Sequence, residues 1–277
     1  MKRAVFLGPE GTHSGEAAKS CALLSGWELL PVAGIRVAVE CVARGEAAAA
    51  VVPIENSLEG SVGPTLDALA GEDGARVKIR REIVRAVAHA LLAPPELAAG
   101  AVRGVLSHPQ ALAQCAATLA RRFPQALLEP AASTVEAARI AAERRGWAAL
   151  APKEVAASRG LAVLADDLSD EPGNRTRFVV IATEDERPTG RDRTSVVFGL
   201  DRDRPGGLHG ALGELASRGI NLSRIESRPT RRVAGEYWFF ADLEAHREEP
   251  SAAEALAALS TRCAFFRLLG SYPRADW

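Results

Sequence analysis

Short apolar runs alternate with amphipathic stretches from the first residues onward. Arg3-Ala4-Val5-Phe6-Leu7 reads as a strand, residues 14–24 and 35–44 as helices, and residues 48–53 as a buried strand. The middle of the chain repeats the rhythm: strand 102–106, helix 109–122, strand 126–128, helix 134–145 and strand 147–150. This βαβα order predicts a parallel sheet covered by helices on both faces. Two helix starts carry a capping box, Ser107 with Gln110 and Ser133 with Glu136, in which the hydroxyl and the residue three later satisfy free amides reciprocally. Residues 77–92 read as a long extended crossing between two lobes.

After the apolar run Val179-Val180-Ile181, residues 184–193 are charged, contain Pro188 and Gly190, and have no apolar period, which predicts a linker. Beyond it the pattern becomes strand 194–200, helix 208–218, strands 222–228 and 237–243, helix 252–262 and strand 265–270. That βαββαβ order is the split βαβ plan of a ferredoxin-like domain. The expected organisation is therefore an α/β region over residues 1–183, a linker over 184–193 and a second domain over 194–277.

The 34 Lys and Arg residues almost balance the 35 Asp and Glu residues, for a formal net charge of -1 over 277 residues. A nucleic-acid partner is not expected from that balance, so an anionic ligand must be met by local donors. Cys21, Cys41, Cys115 and Cys263 are scattered, without the close pairs of a zinc or redox site, and read as small buried hydrophobes in a reducing compartment. The first apolar run ends at Gly8-Pro9, too short for a signal peptide, and no run approaches the roughly 20 residues of a membrane span. A cytoplasmic protein is the expectation.

Four segments carry candidate chemistry. Gly8 to Ser14 lies where a first strand turns into a helix, a place with free amides and a positive dipole end suited to a carboxylate. It has neither GxGxxG spacing nor a P-loop lysine, which disfavours nucleotides. Val51 to Gly63 is a buried strand that ends in Glu55, Asn56 and Ser57 before a glycine-containing turn, at the carboxyl end of a sheet, where open α/β folds bind ligands. In Ser107 to Cys115, Gln110 and Gln114 stand one helical turn apart on one face. Asn174-Arg175-Thr176-Arg177-Phe178 offers a hydroxyl beside a guanidinium able to grip a carboxylate bidentately.

Taken in order, GPEGTHS, VVPIENSLEGSVG, SHPQALAQC, STVEAA and NRTRF closely resemble the prephenate dehydratase family. Residues 205–210 with Ile225-Glu226-Ser227-Arg228-Pro229 resemble the ACT regulatory domain found at its C-terminus, so that the likeness covers nearly the whole chain. The resemblance implies conversion of prephenate to phenylpyruvate with loss of water and carbon dioxide, inhibition by L-phenylalanine, and a two-lobed, periplasmic-binding-protein-like catalytic region with its site in the cleft. Arogenate dehydratase and a non-catalytic amino-acid sensor are the alternatives. No helical N-terminal extension of the kind that holds a fused chorismate mutase is expected, and a homodimer or homotetramer is.

The resemblance also assigns residues. Thr176 matches the family's catalytic threonine, and Glu55 is the nearest candidate for a carboxylic acid beside it. Thr12, Ser14, Asn56, Ser57, Ser107, Gln110, Gln114 and Arg177 are the expected donors to substrate. Loss of the ring hydroxyl and carboxylate, driven by aromatisation, asks for a donor at the departing oxygen and needs no metal or organic cofactor. Phenylalanine is expected at Gly207, Leu208, His209, Asn221, Leu222, Glu226, Ser227, Arg228 and Pro229. Gly207 and His209 depart from the family's usual Gly-Ala-Leu-Val or Gly-Ala-Leu-Tyr, and His13 stands where the family commonly has Phe or Tyr.

Overall fold

The computed structural model describes residues 2–200 and 205–276. The chain builds β1 (Arg3–Leu7), α1 (His13–Ser20), β2 (Glu28–Val32), α2 (Ile35–Ala43), β3 (Ala49–Asn56), β4 (Gly60–Ser61), α3 (Gly63–Ala70) and β5 (Lys78–Ala86). It then crosses to β6 (Ala90–Ala93), β7 (Gly104–Ser107), α4 (Pro109–Gln114), α5 (Ala116–Arg122), β8 (Leu127–Pro130), α6 (Thr134–Glu143), β9 (Trp147–Ala151), α7 (Val155–Ser158) and β10 (Ala162–Ala165). A second crossing returns to β11 (Arg175–Ala182), followed by β12 (Asp192–Leu200), α8 (Gly207–Ala216), β13 (Leu222–Pro229), β14 (Tyr237–Leu243), α9 (Pro250–Thr261) and β15 (Cys263–Pro273).

Three sheets result. The first has the order β2-β1-β3-β11-β5, the second β10-β6-β9-β7-β8, and the third β13-β14-β12-β15. Only the β1 pairings of the first sheet and the β7 pairings of the second are parallel; the returning β11 runs antiparallel to β3 and β5, so neither sheet is the all-parallel one expected. The third sheet has the ferredoxin-like order of an ACT domain, and the first two form the expected two lobes. The crossing itself is short. Residues 78–86 are an ordinary strand of the first lobe, and only 87–89 step across, beside the return segment, with the Val87 amide on the Asn174 carbonyl and the Leu168 amide on the His89 carbonyl.

The central strands are apolar on both faces because both faces are covered. One face of the first sheet, with Phe6, Val51, Phe178 and Val180, packs on Ala17 and Ala18 of α1. The opposite face, with Val52, Ile54, Val179 and Ile181, packs on α2 and α3 and also on Val197, Phe240, Leu269 and Tyr272 of the third sheet. The ACT sheet is thus a layer of the catalytic lobe's own core. Close approach is needed where β15 meets β5, since a Cβ on Gly270 (φ +145°) would collide with the Ile79 backbone.

Two expectations shift in detail. The helix expected over 109–122 breaks at Cys115 (φ -125°, ψ 9°), giving α4 and α5. The linker is pinned. Asp185 accepts from Arg247 and from the Ser271 amide, Glu186 from Arg80, and β12 already starts at Asp192, inside the stretch expected to be linker. Among the described residues no helix is long and apolar enough to cross a membrane. The cysteines are free thiols, and burial pushes that of Cys115 up to about 12, which holds it protonated near neutral pH.

Candidate active site

The site is built where β3, β11 and β5 lie side by side. Asn56, Thr176 and Arg85 are direct cross-strand partners, and all three side chains stand on the face that α1 covers. Strict alternation along β3 would not do this. With Val52 and Ile54 facing the ACT sheet, period two would turn Glu55 toward the cleft and Asn56 away. A bulge between the pairs Phe178–Pro53 and Arg177–Glu55 adds one residue and reverses the phase, which aims Asn56 at Thr176 and turns Glu55 to the opposite face.

Asn56 organises the surrounding loop. Its Nδ2 donates to Thr176 Oγ1 at 3.0 Å and to Asn174 Oδ1 at 2.7 Å, while its Oδ1 accepts the amides of Leu58 and Glu59 at 3.0 and 3.1 Å. Gly60 (φ +79°) completes that turn in a left-handed conformation. The Thr176 hydroxyl is buried and oriented; among the described residues it donates to no protein acceptor, so its proton is available to a ligand.

The second lobe reaches this loop through Gln114. Its Nε2 donates to Glu59 Oε1 at 2.8 Å, and its Oε1 lies 3.2 Å from His89 Nε2 and 3.4 Å from Asn174 Nδ2. The His13 and His89 rings meet edge to face, with centroids 6.0 Å apart. Burial, then the neighbouring His89 and Arg85 against an opposing Glu16, lowers the His13 pKa to about 4. Burial lowers His89 too, against its bond to the Gln114 Oε1 acceptor, which raises it. Both imidazoles are therefore neutral near pH 7.

Several expected site residues stand elsewhere. Arg177 is 1% exposed and faces the ACT sheet, donating to Glu55 (3.0 Å), Glu82 (3.2 Å) and Asp242 (2.6 Å), so it is not a substrate donor. Glu55 is the partner of that guanidinium and not an acid in the cleft. Ser107 is fully buried, with its hydroxyl on the Leu150 carbonyl; His108 caps α4 in its place, accepting from the Gln110 amide. The Thr12 hydroxyl is occupied as the cap of α1, donating to Pro9 O and accepting from the Gly15 amide, and Ser14 is buried in the first turn. Gln110 is exposed at the start of α4, and Ser57 accepts the Arg175 amide at 2.9 Å beside Asn174. Arg85 and His89 stand at the site without having been singled out, and Glu59 and Asn174, which lie inside the candidate segments, had been given no role of their own.

The residues expected to hold phenylalanine divide in two. Gly207 to His209 and Glu226 to Pro229 lie toward one end of the ACT sheet, whereas Asn221 and Leu222 lie at the other, beyond the ten residues of α8, about 15 Å of helix. Arg228 is engaged across the domain boundary by both oxygens of Asp67, at 3.0 and 3.1 Å, and Glu226 pairs with Arg224 at 3.1 Å. Among the described residues no cluster of three His, Cys, Asp or Glu side chains forms a metal site.

The fold and the cleft define a two-lobed α/β enzyme whose C-terminal sheet is built into the core of its first lobe. The family model for prephenate dehydratase matches residues 4–186, and that for the ACT domain residues 194–261. The chain is 44% identical to the prephenate dehydratase of Mycolicibacterium vanbaalenii over 292 aligned positions, covering 100% of this chain and 92% of that one. It superposes with a TM-score of 0.91 on the prephenate dehydratase of Arthrobacter aurescens solved with L-Phe, at 39% identity over 99% of this chain and 90% of the other. GqqA, described as a novel type of quorum-quenching acylase, matches with a TM-score of 0.87 at 30% identity over 99% of each chain. The chain belongs to the prephenate dehydratase family, and its activity is that of a carbon–oxygen lyase.

Proposed function

We propose that the chain converts prephenate to phenylpyruvate in the cleft at Thr176 and that L-phenylalanine, bound at the ACT domain, inhibits it. The observation that carries the catalytic reading is the Asn56–Thr176 hydrogen bond. By donating to Oγ1, Asn56 fixes the hydroxyl and leaves its proton directed outward, where it stabilises negative charge as the substrate's ring C–O bond breaks. The departing oxygen takes a proton and leaves as water; the ring carboxylate leaves as carbon dioxide, and its bonding pair completes the aromatic ring. A threonine hydroxyl is a weak acid, so Thr176 passes the hydrogen bond while solvent supplies the proton consumed overall. With Glu55 held by Arg177, no carboxylic acid from β3 takes part.

Neutral His13 and His89 suit this chemistry, because strong charge pairing with the carboxylate that must leave would stabilise the ground state more than the transition state. GqqA has the same fold, so the site and the assay, not the fold, decide the reaction. The test is prephenate consumption and phenylpyruvate formation by the purified protein, with Thr176→Ala as control. A wild-type protein that leaves prephenate intact ends this reading.

The regulatory proposal is supported by the L-Phe bound to the Arthrobacter relative. The two halves of the expected effector set lie too far apart to close on one small ligand within one chain. β13 is an edge strand of the ACT sheet, with Ile225 exposed, and such edges pair readily with another chain. A homodimer or homotetramer would bring the halves together.

A further inference from the structure

Among the described residues, Arg85 is the one cation in the cross-strand row that bears Thr176, and no carboxylate forms an ion pair with it. The carboxylates of the same sheet, Glu55 on β3 and Glu82 on β5, project from the opposite face into the Arg177 network. On its own face the guanidinium has a 3.4 Å contact from Nη1 to the Glu16 carbonyl of α1, and its Nε is buried without a partner. Two more polar atoms nearby are buried and unpartnered, Nε2 of His13 and Nδ1 of His89. Unsatisfied buried donors and acceptors of this kind mark a place where a ligand completes the hydrogen bonding. The acidic groups around them are already engaged, Glu16 by Lys19 at 2.9 Å and Glu59 by Gln114 at 2.8 Å.

We propose that Arg85 is the specificity-determining residue of the cleft: it receives the oxo-acid side chain of prephenate and discriminates against the ammonium-bearing side chain of arogenate. This rests on the reading of Thr176 given above. The two substrates share the ring, the ring hydroxyl and the ring carboxylate, and differ only where prephenate has a ketone and arogenate an ammonium group. The hydroxyl and the side chain lie at opposite ends of the ring. With the hydroxyl on Thr176, a side chain reaching outward from the adjacent strand meets the far end. A guanidinium binds the retained carboxylate through parallel N–H bonds and leaves a donor for the ketone oxygen. An ammonium there would face a like charge, with neutral imidazoles and no free carboxylate to offset it. Pairing the retained carboxylate with Arg85 leaves the carboxylate that must depart without a cation.

The experiment measures kcat/KM of the wild type, Arg85→Leu and Arg85→Lys with prephenate and with arogenate, following phenylpyruvate and phenylalanine separately. The wild type should favour prephenate by about 10²-fold or more, the scale on which a polar pocket rejects a mispaired analogue. Arg85→Leu should raise KM for prephenate with a smaller change in kcat and reduce the preference at least tenfold, while Arg85→Lys should keep most of it. Equal loss on both substrates, or an unchanged preference in Arg85→Leu with unchanged thermal unfolding, overturns the assignment. A wild type inactive on both substrates would instead overturn the underlying reading.

Discussion

Arg177 of β11 donates to Asp242 of the ACT sheet at 2.6 Å, with both side chains almost fully buried. Its neighbour Thr176 points to the opposite face of the same strand, into the cleft. The buried cluster continues through Glu82, shared with Arg193 of β12, and through Ser195, whose hydroxyl lies 2.6 Å from both Asp242 and Tyr272. On the proposed reading, a rearrangement of the ACT sheet would act one residue away from Thr176, through a continuous chain of buried hydrogen bonds.

Breaking this pair by truncating one partner leaves a buried guanidinium with less compensating charge. Asp242→Ala should lose about 3–5 kcal/mol of stability. The urea midpoint should fall with little change in slope, and kcat should drop more than KM rises. Burial alone would raise the Asp242 carboxyl; Arg177, Arg224 and Ser195 more than reverse this and hold it below the usual range. Its contribution is present above the unfolded carboxylate pKa of about 3.9 and is lost as pH falls through the folded value. Asp242→Asn should therefore flatten the acid limb of stability. An unaltered acid limb in Asp242→Asn would show that the charge is not what holds the sheets together.

Thr176→Ala should lower kcat about 10²-fold or more, and Thr176→Ser should recover most of it, since only the hydroxyl is asked to act. Asn56→Ala should show a smaller loss of the same kind, because it removes the bond that orients that hydroxyl and frees the 57–60 turn. Steady-state kinetics on folded variants checks the order. If Asn56→Ala proves as active as the wild type, the orienting role given to the amide is wrong.

His13 provides a pH prediction with a definite sign. Its folded pKa of about 4 lies below the ordinary 6.5, so between these values the unfolded chain binds more protons than the folded one. Stability should rise with pH through that window, and acidification from pH 7 to pH 4.5 should cost the wild type more than His13→Phe. Urea titrations across the range measure this. The kcat/KM profile should show no His13 inflection near pH 6.5.

Much of the fold was legible because the apolar runs of β1, β3 and β11 and the capped start of α6 follow the ordinary periods of strand and helix. The ligand face was not. It depends on a single-residue bulge in β3, and a sequence read with strict alternation puts Glu55 where Asn56 stands. Arg177 was misread for a related reason: nothing local shows that its partners are Glu82, far upstream, and Asp242, in the other domain. Ser107 satisfies the capping-box spacing, but its hydroxyl has a better acceptor in the buried Leu150 carbonyl, and His108 takes over the cap. Arg85 was missed because its significance lies only in the strand that pairs with it.

Gln114 is where the two lobes grip each other. Its amide donates to Glu59 from the first lobe and accepts near His89 and Asn174, which belong to the two crossings. Removing it deletes contacts made across the mouth of the site without touching Thr176. Each lost hydrogen bond of this type is worth about 1 kcal/mol, so Gln114→Ala should raise KM by roughly tenfold with a smaller change in kcat. Gln114→Glu keeps the length but sets a second carboxylate against Glu59, adding repulsion to the lost donor, and should raise KM further. The order wild type, Ala, Glu separates closure from simple packing, because a packing role would make the nearly isosteric Glu the milder change. Pairing Gln114→Glu with Glu59→Gln should restore part of the affinity, since the amide and carboxylate are then exchanged across the same contact, whereas independent effects that simply add would show that the two side chains do not close the lobes together.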